Sequence, residues 1–187
     1  MFLPFHYFDS FKNYSAWRCE MYAKGKIILF AVCLLSISVA VCATDYKSWL
    51  PLIPNALGGL DRSGEPDGIN MEMGGQSWSS LHQEYSSKSK KRISLTIVSG
   101  IVAPQAQAFQ SMSHMQMETQ DQVVKTVNVS GYKSIFQLSK TDKNGSLMIS
   151  VNQQTLVVIE AEPITSEKEL LPLAEEVPLK KIATQAK

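Results

Sequence analysis

The segment Ile93-Ser-Leu-Thr-Ile-Val98 alternates apolar and polar residues. Because successive side chains of a β-strand point to opposite faces, this alternation predicts a strand with Ile93, Leu95 and Ile97 on one face. A second segment, Leu156-Val-Val-Ile159, is apolar at every position, which indicates a buried strand in the middle of a sheet. Together the two segments predict a domain built around a β-sheet.

Turn residues separate further extended segments of the chain. Five of these segments have the composition of strands: 69–73, 76–85, 123–129, 134–139 and 146–151. Gly74-Gly75 and Gly131 supply turns between neighbours, and Asp142-Lys-Asn-Gly145 predicts a tight hairpin because Asn-Gly takes the positive φ values that such a turn requires. With the two segments above, the pattern predicts an antiparallel sheet of about six to seven strands.

One helix is predicted after the first three strands. Pro104 suits the first turn of a helix, and residues 103–118 contain neither glycine nor a further proline. At about 100° per residue, Phe109, Met112 and Met115 fall on one side of this helix. That side is expected to pack against the sheet.

A second helix is predicted at the C-terminal end of the sequence. Ser166-Glu-Lys-Glu169 matches a capping box, and an apolar helical pattern runs from Leu170 to Val177, with a kink or restart expected at Pro172. A short last turn is predicted at 179–183. The element order therefore predicts a single α+β domain with two main helices packed on an antiparallel sheet.

Residues 21–43 have the pattern of a secretory signal peptide. Lys24-Gly-Lys26 leads into an uncharged apolar run of 15 residues, 27–41, which is shorter than the roughly 20 residues that span a bilayer. Val41 and Ala43 suit the small-residue positions of a cleavage site. We therefore expect cleavage near Ala43 and a periplasmic or secreted domain, 44–187. An uncleaved N-terminal membrane anchor is the alternative.

The first 20 residues do not fit the start of a signal peptide. They are rich in aromatic residues, whereas Met21-Tyr-Ala-Lys-Gly-Lys26 would itself make an ordinary basic start. We therefore expect translation to begin at Met21 and treat residues 1–20 as a doubtful leader.

The sequence after Ala43 has no cysteine and little net charge. Cys19, Cys33 and Cys42 all precede Thr44, so the domain 44–187 offers no thiol for a disulfide or a metal site. Its 14 basic and 15 acidic side chains give a net charge near −1, which argues against nucleic acid as a partner. Spacings typical of zinc sites and of phosphate-binding glycine loops are also missing.

A group of soft ligands stands near the end of the first predicted helix. Met112, His114, Met115 and Met117 offer thioethers and an imidazole, which are the ligands that select Cu(I) or Ag(I) where no thiol is present. On one continuous helix, Met112 and Met115 lie on one face and His114 and Met117 on nearly the opposite one. The four side chains converge only if the helix ends before His114, and packing in the core is the competing role of the methionines.

A serine nucleophile is the least supported possibility. Gly75-Gln-Ser-Trp-Ser79 resembles the turn that carries a nucleophilic serine in hydrolases, but it ends in serine instead of glycine and lies in a polar strand. Only His82 and His114 follow as bases for Ser77 or Ser79. A serine hydrolase is therefore kept only as a second alternative.

The run Val123-Val-Lys-Thr-Val-Asn-Val-Ser-Gly-Tyr132, then Asp142–Ile149, Leu156–Ile159 and a Glu-Leu-rich C-terminal helix resembles exported bacterial α+β proteins of uncharacterised function. In layout the chain is similar to the PsbP and Mog1 group. The resemblance implies an antiparallel sheet with a glycine-centred strand pair. It supplies no catalytic residue, because the shared motifs are a turn and a bend.

These observations predict an exported binding or interaction domain rather than an enzyme. We expect no catalytic or cofactor-binding residue and no cofactor. The expected partner is an unidentified protein or ligand of the cell envelope, with membrane contact only through an uncleaved N-terminal segment. A soft-metal protein using Met112, His114, Met115 and Met117 is the first alternative.

Overall fold

A computed structural model describes residues 44–87, 90–100 and 103–185 of the protein. The predicted leader and signal peptide, residues 1–43, lie outside this part of the chain, so translation from Met21, cleavage and export stay predictions. Within the described ranges, none of the helices combines the length and the apolar character that a membrane crossing requires.

Ten strands form one antiparallel sheet in the described residues. They are β1 (Ala56–Leu57), β2 (Leu60–Arg62), β3 (Asp67–Met73), β4 (Gln76–Ser86), β5 (Arg92–Ser99), β6 (Met117–Glu118), β7 (Gln122–Val129), β8 (Tyr132–Ser139), β9 (Asn144–Ser150) and β10 (Thr155–Glu162). Their order across the sheet is β1-β2-β4-β5-β10-β9-β8-β7-β6, and β3 pairs with β4 beside this path. Strand β10 therefore lies in the middle, as its apolar sequence predicts.

The predicted α+β class with an antiparallel sheet is confirmed, but the predicted count of six to seven strands is wrong. All seven predicted segments are strands. The three that sequence reasoning missed, β1, β2 and β6, are only two or three residues long. Alternation is recognisable only over about four to eight residues, so strands of this length leave no pattern to detect.

The sheet has two faces with separate hydrophobic clusters. The major face carries the larger cluster, which includes Leu95, Leu147 and Ile159 from adjacent strands. The minor face carries a smaller cluster, which includes Val158 and Met148. Alternation along each strand assigns its odd and even residues to different faces, and this produces both clusters from the same strands.

Helices at both ends of the described chain contribute to the major face. A 3₁₀ helix, η1 (Tyr46–Leu52), buries Trp49, and two short helices, α2 (Leu171–Glu176) and α3 (Leu179–Gln185), bury Leu173 and Ile182 in the same cluster. The minor face receives Ala106 and Phe109 from helix α1 (Pro104–Met112).

Helix α1 is shorter than its sequence predicts. It ends at Met112 instead of continuing to Glu118, and Met117 and Glu118 form β6 beside β7. The Ser113 hydroxyl donates to the carbonyl oxygen of Gln110 at 3.0 Å. Serine side chains compete in this way for backbone groups and favour helix ends.

The C-terminal helix begins later than the capping box predicts. Residues Glu167–Glu169 form a 3₁₀ turn, η2, and the Ser166 side chain makes no capping hydrogen bond. Instead the Glu169 carboxylate accepts hydrogen bonds from the backbone N–H and the hydroxyl of Thr165, and the backbone bond in particular lowers the pKa of Glu169. Helix α2 then starts with Pro172 in its first turn, which confirms the predicted restart.

The predicted hairpin at 142–145 is present, but its glycine has another role. Ser139 pairs with Asn144, and the positive φ value falls at Lys143, outside the Asn-Gly pair. Gly145 lies within β9, where a Cβ atom would collide with the side chain of Ile164. The glycine therefore makes room for Ile164 to pack on the major face.

Tyr85 links strand β4 to the segment before β1. Its ring is fully buried, and its hydroxyl donates a hydrogen bond to the carbonyl oxygen of Pro54 at 2.8 Å. Burial raises the pKa of the Tyr85 phenol to about 12, and the nearby Arg62 guanidinium opposes this only in part. The folded state therefore keeps this proton at pH values where an unfolded tyrosine has lost it.

We expect Tyr85 to make the folded state less stable at alkaline pH. The pKa of an unfolded tyrosine is about 10, whereas the folded pKa of Tyr85 is about 12. Between these values the folded state binds more protons than the unfolded state, so the free energy of unfolding falls as pH rises. The stabilisation is fully present below about pH 10, and roughly 2–3 kcal/mol is lost by about pH 12. Urea unfolding across this range measures the change.

The variant Tyr85→Phe isolates this contribution, because lysines also lose their protons in the same range. It should lose less stability above about pH 10 than the natural chain. Tyr132→Phe, at the half-buried first residue of β8, is the control and should follow the natural chain. An identical pH dependence for Tyr85→Phe and the natural chain would contradict the argument.

Candidate functional site

A continuous row of polar side chains crosses the minor face from β4 to β8. Glu84, Ser94, Glu160, Ser146 and Gln137 are paired in that order from strand to strand. Cross-strand partners stand about 5 Å apart, so each of these side chains neighbours the next. We call these five residues the polar row.

The polar row lies beside the apolar part of the same face. One step nearer α1, the cross-strand neighbours Val158, Met148 and Ile135 are buried in the smaller cluster. The row itself stays half-buried or exposed, and Glu84 and Glu160 are its exposed members. The minor face is therefore divided into an apolar half that contacts α1 and an open polar half.

The polar half forms a shallow cavity of about 500 Å³. Besides the polar row, its polar lining consists of Arg92, Gln122, Ser139, Asn144 and Glu162. Hydroxyl and amide groups supply both donors and acceptors, and they are spread over strands whose backbones are held by the sheet. Such a surface presents fixed hydrogen-bonding groups to a polar ligand.

Negative charge dominates this cavity. It is lined by three glutamates and one arginine. The Arg92 guanidinium forms an ion pair with Glu162. Glu160 accepts a hydrogen bond from the Ser94 hydroxyl at 3.2 Å, and neither Glu160 nor Glu84 forms an ion pair with a lysine or arginine of the described ranges. Within the described ranges, two carboxylates of the polar row thus have no lysine or arginine partner.

His82 lies at the edge of the polar row. Its Nδ1 atom is 2.9 Å from Thr96 Oγ1, and its Nε2 atom is 3.8 Å from Glu84 Oε1. A hydroxyl that contacts an imidazole, which in turn lies near a carboxylate, is the arrangement of an activated nucleophile. Acyl transfer also needs N–H donors for the developing oxyanion. Every residue of β5 pairs with both β4 and β10, so the backbone amides around Thr96 are already bonded within the sheet.

The serines proposed as nucleophiles do not meet His82. Ser79 is buried opposite Ser99, and its position in β4 has the same parity as Leu81 of the major face. His82 has the opposite parity and faces the other side of the sheet. Ser77 shares the parity of Ser79, so strand geometry separates both serines from this histidine.

The four candidate metal ligands lie around the end of α1. Met112 and Met117 are half-buried against the smaller cluster, and His114 and Met115 are exposed. Because α1 ends at Met112, the four side chains are not distributed around one helix. The structure therefore removes the geometric objection that a continuous helix raised.

Sequence reasoning missed the polar row. Its members come from five strands, and only the register of the sheet brings them together. The sequence does show that these positions are polar. Glu160 immediately follows the apolar segment 156–159, and Ser94 and Glu84 are polar residues in strands that alternate between apolar and polar residues. Finding the row from these positions requires the strand order, which the sequence alone does not define.

We found no match for the chain among profiles of known protein families, among curated proteins or among solved structures. The resemblance to exported bacterial proteins and to the PsbP and Mog1 group therefore stays a prediction.

Proposed function

We propose that the domain 44–187 is an exported, non-enzymatic binding domain and that the polar row binds a cationic group. This group is an amine or guanidinium presented by a small polar ligand or by a protein of the cell envelope. The observation that carries the proposal is the placement of Glu84 and Glu160 in a cavity lined by hydroxyl and amide groups, where no lysine or arginine of the described ranges pairs with them. Export is supported by the pattern of residues 21–43 alone.

Charge and hydrogen bonding together favour this class of ligand. Carboxylates accept charge-assisted hydrogen bonds from ammonium and guanidinium groups, and these bonds are about twice as strong as neutral ones. Ser146 and Gln137, beside Glu160 in the polar row, supply further bonds to a polar ligand. Because the two glutamates are exposed, salt should weaken the interaction.

A binding role is favoured over catalysis by the surroundings of His82. The contact between His82 and Thr96 joins directly opposite residues of β4 and β5, as cross-strand polar pairs commonly do. The bonded amides of β5 offer no oxyanion donors to Thr96. The arrangement therefore supports a stabilising contact beside the binding surface.

The variant Glu160→Gln should weaken binding of a cationic probe. It keeps the size of the side chain but removes one charge and one charge-assisted acceptor, a loss of about 1–2 kcal/mol or roughly fivefold to thirtyfold in Kd. Spermidine and L-argininamide, titrated into the full chain and followed by amide NMR shifts, are suitable probes. We expect the shifts of the natural chain to centre on 84, 94 and 160.

Glu175→Gln is the matched control for this experiment. Glu175 is also exposed, but it lies on α2 and does not line the cavity. Its substitution should leave Kd unchanged. Equal weakening by the two substitutions, or shifts spread over the surface, would show only general attraction to an acidic chain and would overturn the proposal.

A further inference from the structure

The turn that follows α1 brings several soft ligands into a short piece of chain. Helix α1 ends at Met112, and the backbone N–H of Met115 donates to the carbonyl oxygen of Met112 at 2.9 Å. A turn closed in this way holds its first and fourth Cα atoms within about 7 Å. Met112 and Met115 therefore start from neighbouring positions, with His114 on the turn between them.

Met117 approaches the same region from the sheet. It begins β6 and pairs with Val124, a buried residue of the smaller cluster. Met112 packs against this cluster from the end of α1. Two thioethers thus lie at one edge of the minor face, beside a turn that carries His114 and Met115.

The burial of these side chains suits a soft ion held at the surface. Met115 is 43% exposed, whereas most large apolar side chains of the described residues are buried or half-buried. An exposed Met115 side chain gains little from packing, whereas its sulfur is free to act as a metal ligand. The half-buried Met112 and Met117 would shield one side of the ion from water.

Other side chains nearby do not favour a harder metal. Glu118, the nearest acidic residue along the chain, contacts Lys140 Nζ at 3.3 Å. In the part of the chain that the structure describes, no group of three or more His, Cys, Asp and Glu side chains is arranged to hold a metal ion. Thioethers with one imidazole select Cu(I) or Ag(I) over oxygen-preferring cations.

We propose that Met112, His114, Met115 and Met117 bind one Cu(I) or Ag(I) ion at the end of α1. The turn itself is held by hydrogen bonds from Ser113 to Gln110 and from Thr126 to Ser113. The methionine side chains have three rotatable bonds and can reorient around an ion without a change of the backbone. The site shares no residue with the polar row and does not depend on its function.

Silver titration of the full chain tests the site. Cys19, Cys33 and Cys42 are first replaced by serine, because thiols would compete for the ion. With methionine labelled at its methyl group, Ag(I) should shift the resonances of Met112, Met115 and Met117. The resonance of Met148, buried in the same cluster, should stay in place or move less.

Met115→Leu and Met71→Leu form a matched pair, since these methionines are 43% and 39% exposed. Competition with a Cu(I) chelator should show at least about a tenfold loss of metal affinity for Met115→Leu. Even mutation of a residue that only hydrogen-bonds to a metal ligand lowers metal affinity by about 10- to 100-fold. His114→Asn should have a similar effect, and Met71→Leu should have none.

His114 and Met115 are exposed and contribute to no buried cluster. Their substitution should therefore change binding without changing the fold. Circular dichroism of each variant verifies the fold. Equal losses for Met115→Leu and Met71→Leu, or no binding tighter than about micromolar in the cysteine-free chain, would overturn the proposal.

Discussion

Replacing Gly100 with alanine is expected to destabilise the domain by about 3 kcal/mol or more. Gly100 follows β5 and has a φ of +117°, a conformation that residues with a side chain rarely adopt. A Cβ atom at this position would lie 2.6 Å from the carbonyl oxygen of Ser77 and 2.6 Å from Cβ of Trp78. Both contacts are with atoms that cannot rotate away.

Hydrogen bonds on both sides keep Gly100 from moving to relieve the collision. Its N–H donates to the carbonyl oxygen of Gln154 at 2.9 Å, and its own carbonyl accepts from the N–H of Ala103 at 3.2 Å. The first bond joins it to the turn before β10, and the second joins it to the start of α1. A shift at Gly100 therefore disturbs the sheet and the helix together.

Gly131→Ala separates the effect of φ from the effect of close packing. Gly131 also has a positive φ, +90°, but no atom lies within 4 Å of its would-be Cβ. We expect a loss of about 1–2 kcal/mol, from backbone strain alone. Urea unfolding of the two variants gives both values, and equal losses would show that the contacts with Ser77 and Trp78 do not matter.

The sequence predicts those parts of the fold that depend on local patterns. Alternation at 93–98 and the apolar run at 156–159 are typical of strands with buried faces, and both segments are strands here. Pro104 marks the start of α1 correctly. Helix ends are harder to predict: α1 ends at Met112, and the apolar periodicity of 103–118 gives no sign of an end at this position.

The candidate sites differ in how far they could be predicted. The four candidate metal ligands lie within residues 112–117, so the sequence alone identifies them as a group. The sequence did not predict that α1 ends at Met112. Glu84 and Glu160 are 76 positions apart and neighbour each other only through Ser94. Long-range register decides the polar row, and register follows from the pairing of whole strands.

The central strand explains why the two proposed sites coexist on one face. In β10, Leu156 and Val158 bury the part of the minor face near α1, whereas Glu160 and Glu162 of the same parity line the cavity. The polarity of the face therefore changes within one strand. Helix α1 ends over the apolar part, which leaves its methionines at one edge and the glutamates open to solvent.

Truncating Ile159 in the same strand should cause a second large loss of stability. Ile159 is fully buried on the major face and pairs with Leu95 on one side and Leu147 on the other, which are fully buried as well. Ile159→Ala removes apolar atoms from the core and leaves a cavity. The strands on both sides are held by the pairing of the sheet and cannot move together to close it. We expect a loss of about 2–5 kcal/mol, and about 1 kcal/mol for Ile159→Val.

Because folded domains are stable by only about 5–15 kcal/mol, the larger loss should be visible as a marked fall in the urea midpoint. Ile69→Ala is the control, since Ile69 lies in β3 at the side of the sheet and is 44% exposed. Its loss should stay within about 1 kcal/mol. Similar losses of stability at positions 69 and 159 would contradict a packed core around β10. A larger loss for Ile159→Ala than for Ile159→Val is expected, because alanine leaves the larger cavity.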